Sequence, residues 1–231
     1  MKLLLVGHGK MGQLVGTLAP QYGGEVAGVI DPMSPLHGGG PDAAPWHAVE
    51  VAIDFSTPDS VVSNATVLAR RGINLVIGTT GWGAREAELR AVVADTGIGI
   101  VVAPNFSTGV VLFEALAAYA ARLFAPQQDF ASFLHEAHHA AKKDAPSGTA
   151  LLLKRAMEQT GFPRPIDVSS TRAGFIPGTH TVGFDAQAET LALTHTVRDR
   201  ATFAHGALAA ARWVRGRKGW FTMRDVLGLT G

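Results

Sequence analysis

Along the first hundred residues, short apolar runs alternate with stretches in which apolar positions recur at helical spacing. The runs at 2–6, 25–30, 51–55, 74–78 and 98–103 predict strands, and the periodic stretches at 11–19, 58–71 and 85–95 predict helices between them. Such alternation predicts a parallel sheet with helices on its faces. The second helix carries the clearest signals. Thr57 stands at the cap, Pro58 at the first helical position, and Val61, Val62, Ala65, Leu68 and Ala69 make one apolar face. The segment 31–45 holds four prolines and three consecutive glycines and has no period, which predicts a mobile loop inserted at the sheet edge.

Beyond Pro104 the pattern changes. A long apolar helix is predicted over 108–124, a strand over 129–139, and a helix over 149–159 closed by Gly161. Strands follow at 166–171, 179–185 and 190–197, and 203–215 returns to small apolar residues at helical spacing. The second half therefore reads as a helix-and-sheet layer without β-α-β alternation, and no internal repeat is present. The expected fold is α/β: a Rossmann-like, doubly wound parallel sheet with a second α+β domain. Residues 1–106 plus 203–231 are expected to bind a dinucleotide, and 107–202 to bind substrate and form the oligomer.

Composition removes alternatives more than it adds any. The 231 residues are 47% hydrophobic and 17% charged with a net charge of +1, an ordinary globular balance, and the basic residues are scattered. No footprint for nucleic acid or a membrane surface is visible, so any bound anion is expected to be small. The absence of cysteine excludes disulfides and thiolate metal sites and suits a reducing compartment. An unbroken run of only four apolar residues leads into Gly7, too few for a signal peptide or a membrane span, so a soluble cytoplasmic protein is expected.

Gly7-His8-Gly9-Lys10-Met11-Gly12 follows the first predicted strand and opens the first helix, the context a dinucleotide-binding G-x-G-x-x-G turn requires. Asp31 lies 19 residues beyond Gly12 at the end of the second strand, where a carboxylate can accept hydrogen bonds from ribose hydroxyls. That carboxylate repels a 2′-phosphate, and Pro32 rather than arginine follows it, which predicts NADH in preference to NADPH. Lys10 can still contact a phosphate, so use of both remains open. Two further turns, Gly78-Thr79-Thr80-Gly81 and Ala103-Pro104-Asn105-Phe106, end later strands on the same sheet edge and are expected to flank the nicotinamide.

The segment 136–150 concentrates the remaining chemistry. Ser147 precedes an apolar run and is expected to cap its helix, leaving the N–H groups of Gly148 and Thr149 as a carboxylate seat. His138, His139 and Lys142 stand just before that seat and can supply anion-binding charge and proton transfer. Zinc is the competing reading, but Glu136, His138 and His139 do not make a usual ligand pair and no metal is expected.

Glu136 to Ala150 resembles the E-x-H-H-x-x-K-x-D-A-P-S-G-T-A signature of the dihydrodipicolinate reductase family. The resemblance extends to Asp54-Phe55-Ser56-Thr57-Pro58, to Arg172-x-Gly174 with Gly178-x-His180, to Phe203-Ala204-x-Gly206-Ala207, and to the stretch from Met223 to Leu229. It implies reduction of a cyclic imine dicarboxylate by NADH or NADPH in the diaminopimelate route to lysine, by a homotetramer. It implies His138 as acid/base, Lys142 as proton donor, and His139, Gly148 and Thr149 as substrate-carboxylate contacts. On the cofactor side it implies contacts at Gly7, His8, Gly9, Lys10, Met11, Asp31, Gly78, Thr79, Thr80 and Ala103 to Phe106. Lys10 stands where the family usually has arginine, and Ala140 where many members do. Two other readings compete: a two-domain Rossmann dehydrogenase for an amino acid or sugar, which has no need of 136–150, and a non-catalytic NAD-sensing protein.

Overall fold

A computed structural model describes residues 1–230. The chain divides into two compact units, Met1–Thr108 together with the chain from Ala201 onward, and Gly109–Arg200.

In the first unit, strands β1 (Lys2–Val6), β2 (Glu25–Ile30), β3 (Val51–Asp54), β4 (Asn74–Ile77), β5 (Gly99–Val102) and β10 (Gly219–Phe221) form one parallel sheet. Its order is β10-β5-β4-β3-β1-β2. β1 and β3 are buried almost throughout, which is why their sequences are continuous apolar runs rather than alternating ones. Leu4, Val6, Ala52, Leu75, Ile77 and Ile100 point to the face packed by α2 (Pro58–Arg70) and α3 (Glu86–Thr96). Leu3, Leu5, Ile53 and Val76 point the other way, toward α1 (Lys10–Leu18) and α6 (Ala201–Val214), which pack on each other. The small residues of α6 permit a close approach, for a Cβ on Gly206 would stand 1.7 Å from the carbonyl oxygen of Phe106.

Two details differ from the sequence reading. Thr57 does stand at the N-cap of α2, but its hydroxyl bonds the Ser60 hydroxyl at 3.0 Å instead of capping a backbone N–H. The edge strand β10 and the single-turn helix α7 (Met223–Val226) are absent from that reading, because three and four residues are too few to show a period. The segment 31–45 is largely turns, leading into a 3₁₀ helix (Ala44–Ala48) whose Trp46 is buried, with its indole N–H bonded to the Gly40 carbonyl.

In the second unit, β6 (Ala131–His138), β7 (Ile166–Arg172), β8 (Thr179–Ala186) and β9 (Glu189–Thr196) form a sheet of order β7-β6-β8-β9. β6 and β7 are parallel and the other pairs antiparallel. Helices α4 (Thr108–Phe124) and α5 (Gly148–Glu158) contribute Phe113, Ala117, Leu153 and Met157 to a core shared with Leu134, Val182 and Phe184. Period-two alternation puts Ser132, Leu134, Glu136 and His138 on one face of β6. The apolar core therefore gives way, toward the end of the strand, to buried polar groups. Among the described residues no helix is long and apolar enough to cross a membrane.

Candidate active site

The first β-α turn of the parallel sheet is shaped by its glycines. Gly7 has φ +87, and a Cβ there would meet the Phe55 carbonyl at 2.4 Å, while a Cβ on Gly12 would lie 2.2 Å from the Gly7 carbonyl oxygen. Gly9 faces open space, so the turn is tight behind and clear in front, as close approach of a pyrophosphate demands. Gly9, Lys10 and Met11 line a cavity of about 500 Å³ together with Gly78, Thr79 and Thr80. A second cavity of about 680 Å³ runs from Gly7 and Gly9 past Asp31 to Met33 and His37. Phe55 and Ser56 line both.

Asp31 stands at the rim of the larger cavity, where its Oδ2 accepts from the His8 N–H at 2.7 Å and its Oδ1 from the Met33 N–H at 2.9 Å. These bonds, that of His8 first, hold its carboxyl below the usual range, so it is an anion facing the space a ribose would fill. Asp54, at the end of β3, is buried and its Oδ1 collects the Ser56 N–H, the Ser56 hydroxyl and the Thr79 hydroxyl. It ties together the turns after β3 and β4. Neither cavity reaches 103–106. Ala103 and Phe106 are buried, the Phe106 ring against Phe55, so what these two offer a ligand is backbone. Sequence reasoning kept Asp54 to Ser56 as supporting motif residues only.

The second unit assembles its polar groups around Glu136, which is fully buried. Across the sheet Glu136 pairs with Ser170 on β7 and His180 on β8, and the next residue along its face, His138, pairs with Arg172. Oε1 of Glu136 lies 2.6 Å from Nη2 of Arg172 and accepts from the Ser147 N–H at 3.3 Å. Oε2 lies 2.6 Å from Nδ1 of His138 and 3.9 Å from Nε2 of His180. Burial alone would raise the carboxyl, but hydrogen bonds from Ser170, Arg172 and Ser147 outweigh it and bring it to about 2.

The histidines respond in the opposite sense. Burial lowers His138, with Lys142 and Arg172 adding to the effect and Glu136 opposing it. Burial also pushes His180 down to about 4, helped by the neighbouring His138. His180 Nε2 lies 3.0 Å from the Ser147 hydroxyl, which in turn accepts from the Ala150 N–H as the N-cap of α5. The cap expected of Ser147 is therefore present.

Lys142 and Asp144 follow β6. The ammonium bonds the Asp144 carboxylate at 2.6 Å, and that carboxylate, lowered first by Lys142, also draws on the Gly148 N–H. The chain thus places one of its own carboxylates on two of the donors expected to hold a ligand's. His139 lies half-buried past the strand end, Gly148 is exposed and Thr149 is half-buried at the first turn of α5. The structure brings His138, Lys142 and Gly148 to one end of the sheet and adds Glu136, Arg172 and His180, which the sequence reading held only as signature residues. Among the described residues, the trio with metal-ligand spacing is Glu136, His138 and His180, within 4.8 Å, rather than one including His139. The Arg172 guanidinium already neutralises that carboxylate.

A parallel sheet with a glycine turn and a strand-end acid, in one chain with a second sheet bearing paired acid–base groups, defines a two-domain oxidoreductase of the nicotinamide-dependent class. Comparison with known proteins narrows the class. The family model described as dihydrodipicolinate reductase, N-terminus, matches residues 1–106, and that described as its C-terminus matches 109–227. The 4-hydroxy-tetrahydrodipicolinate reductase of Methanoregula boonei is 36% identical over 257 aligned positions, covering 99% of this chain and 98% of that protein. Its namesake in Rhodopseudomonas palustris is 40% identical over 197, covering 77% and 72%. A dipicolinate-bound dihydrodipicolinate reductase from Paenisporosarcina sp. TG-14 superposes with a TM-score of 0.81 at 22% identity, over 97% of this chain and 98% of that one. The chain belongs to the dihydrodipicolinate reductase family.

Proposed function

We propose that the protein reduces 4-hydroxy-tetrahydrodipicolinate to tetrahydrodipicolinate, the reaction its relatives' names carry, in the biosynthesis of diaminopimelate and lysine. Residues 1–106 with 203–231 make its dinucleotide-binding domain, and 107–202 its substrate and oligomerisation domain, working in a homotetramer. The observation that carries the reading is the cluster at the end of β6, where His138 and the N-terminus of α5 meet the buried Glu136 carboxylate and Lys142, on the following turn, lies close enough to act on His138.

A bound nicotinamide cofactor supplies a hydride. Gly7, His8, Gly9, Lys10 and Met11 would hold its pyrophosphate, Asp31 its ribose, and Gly78 to Thr80 with the backbone of Ala103, Pro104, Asn105 and Phe106 the nicotinamide end. With Asp31 anionic and Pro32 beside it, NADH is preferred over NADPH. The N–H groups of Gly148 and Thr149, with His139, seat the substrate carboxylates. Loss of the hydroxyl as water leaves a conjugated imine. Hydride addition at C4 then moves the electron pair onto the adjacent carbon, and a proton must be delivered there. Lys142 is the donor, and His138 takes and returns protons beside it.

The direct test is oxidation of NADH by the purified protein, with and without substrate generated from pyruvate and aspartate semialdehyde. Substrate-dependent oxidation is expected. Oxidation driven instead by an amino acid or a sugar would assign the chain to another two-domain dehydrogenase. Cofactor binding with no turnover would mark a sensor.

A further inference from the structure

We propose that Glu136 is a positioning residue for this reaction: its carboxylate fixes which nitrogen of His138 faces the substrate and supports the charge that imidazole must carry. The proposal rests on the reading of His138 as the acid/base group. Three elements meet at this one carboxylate. Oε2 touches the histidine on its own strand, while Oε1 binds Arg172 at the end of β7 and the Ser147 N–H at the cap of α5. The proton-handling group and the N-terminal seat for carboxylates are thereby set from a single buried point.

The tautomer follows from distance. Glu136 Oε2 and His138 Nδ1 lie 2.6 Å apart without meeting in hydrogen-bond geometry, and an anionic oxygen that close favours an N–H over a lone pair on the facing nitrogen, which puts the proton on Nδ1. Nε2 is then the nitrogen left for proton exchange. Gly178 keeps its surroundings clear, since a Cβ there would stand 3.3 Å from Nε2.

The charge argument has the same source. Facing His138 are Glu136 on its own strand, Arg172 on β7, His180 on β8 with ring centroids 5.1 Å apart, and Lys142 on the following turn. Burial, Arg172 and Lys142 all disfavour imidazolium, and the Glu136 carboxylate opposes them. Neutralising it leaves the histidine harder to protonate and the guanidinium of Arg172 without its carboxylate.

Two measurements test this. In the wild-type protein, nitrogen-15 ring correlations should show neutral His138 as the Nδ1–H tautomer; an Nε2–H tautomer would overturn the proposal. In Glu136→Gln, the His138 pKa should fall by about one pH unit or more, and the pH-rate inflection assigned to it should move down with it. There kcat should drop roughly tenfold or more while KM for NADH is unchanged. Glu136→Asp, which keeps the charge, should restore much of the titration. An unchanged His138 pKa in Glu136→Gln would refute the role. If that variant does not fold, the wild-type tautomer and the Glu136→Asp titration decide the matter. A wild-type protein that fails to turn over the substrate would remove the functional reading instead, and the tautomer and titration would still judge this one.

Discussion

In the proposed reaction, Lys142 is the residue on which the chemistry turns most directly. Its ammonium is held by Asp144 at 2.6 Å and its side chain is half-buried, so it is positioned before any ligand arrives. Replacing it with alanine removes a proton donor but no packing core. Lys142→Ala should therefore lose roughly 100-fold or more in kcat with its thermal midpoint little changed, and near-normal turnover in a folded variant would refute its role. Asp31 makes a second residue-scale argument. Its charge is stabilised by the His8 and Met33 N–H groups, so a 2′-phosphate would meet a permanent anion. KM for NADPH should exceed that for NADH, and Asp31→Ser should narrow the gap. A clear NADPH preference in the wild type would contradict the assignment.

Helix α5 shows how an element serves the site through its end. Ser147 caps it by accepting from the Ala150 N–H, and the same hydroxyl meets His180 Nε2. Ser147→Ala should cost about 1 kcal/mol of stability, a fall of about 2–4 °C in Tm at this chain length. It should also raise the substrate KM, because Gly148 and Thr149 lose the anchor that aims their N–H groups. A variant with lower Tm and unaltered KM would separate the cap from the seat. Much of this element was legible in sequence, since Ser-Gly-Thr before an apolar run is a cap signal in itself. The central strands of the parallel sheet were legible for a similar reason, as burial on two faces leaves continuous apolar runs such as Leu3 to Val6. The cluster around Glu136 was not. Spacing puts Glu136 and His138 on one face of β6, but the partners Ser170, Arg172 and His180 are fixed by strand register, which local sequence does not encode. A buried glutamate two residues before a histidine was the available signal, and it reads equally well as an exposed residue at a strand end.

At the scale of the whole molecule, the two units differ in how their buried titratable groups respond to acid. His180 falls from an ordinary 6.5 to about 4 on folding, so between those values the unfolded chain binds the proton more readily and stability is lost as pH drops. The full effect is on the order of 3 kcal/mol. His138 and His195, also lowered chiefly by burial, act in the same direction, and Glu136, lowered from 4.5 to about 2, extends the loss to still lower pH. All four lie between Gly109 and Arg200. In the other unit, the buried Asp54 is raised by desolvation, so its contribution is present at low pH and is lost as pH rises. Acid should therefore loosen the unit from Gly109 to Arg200 first. Hydrogen exchange at pH 7.5 and pH 5, corrected for intrinsic rates, should show protection falling in peptides from β6 and β8 while those from β1 and β3 hold theirs. His180→Asn should reduce that difference, because a side chain that cannot titrate removes the largest of the histidine contributions. Parallel loss in both units, or earlier loss in β1 and β3, would show that the buried histidines do not set the acid limit of the fold.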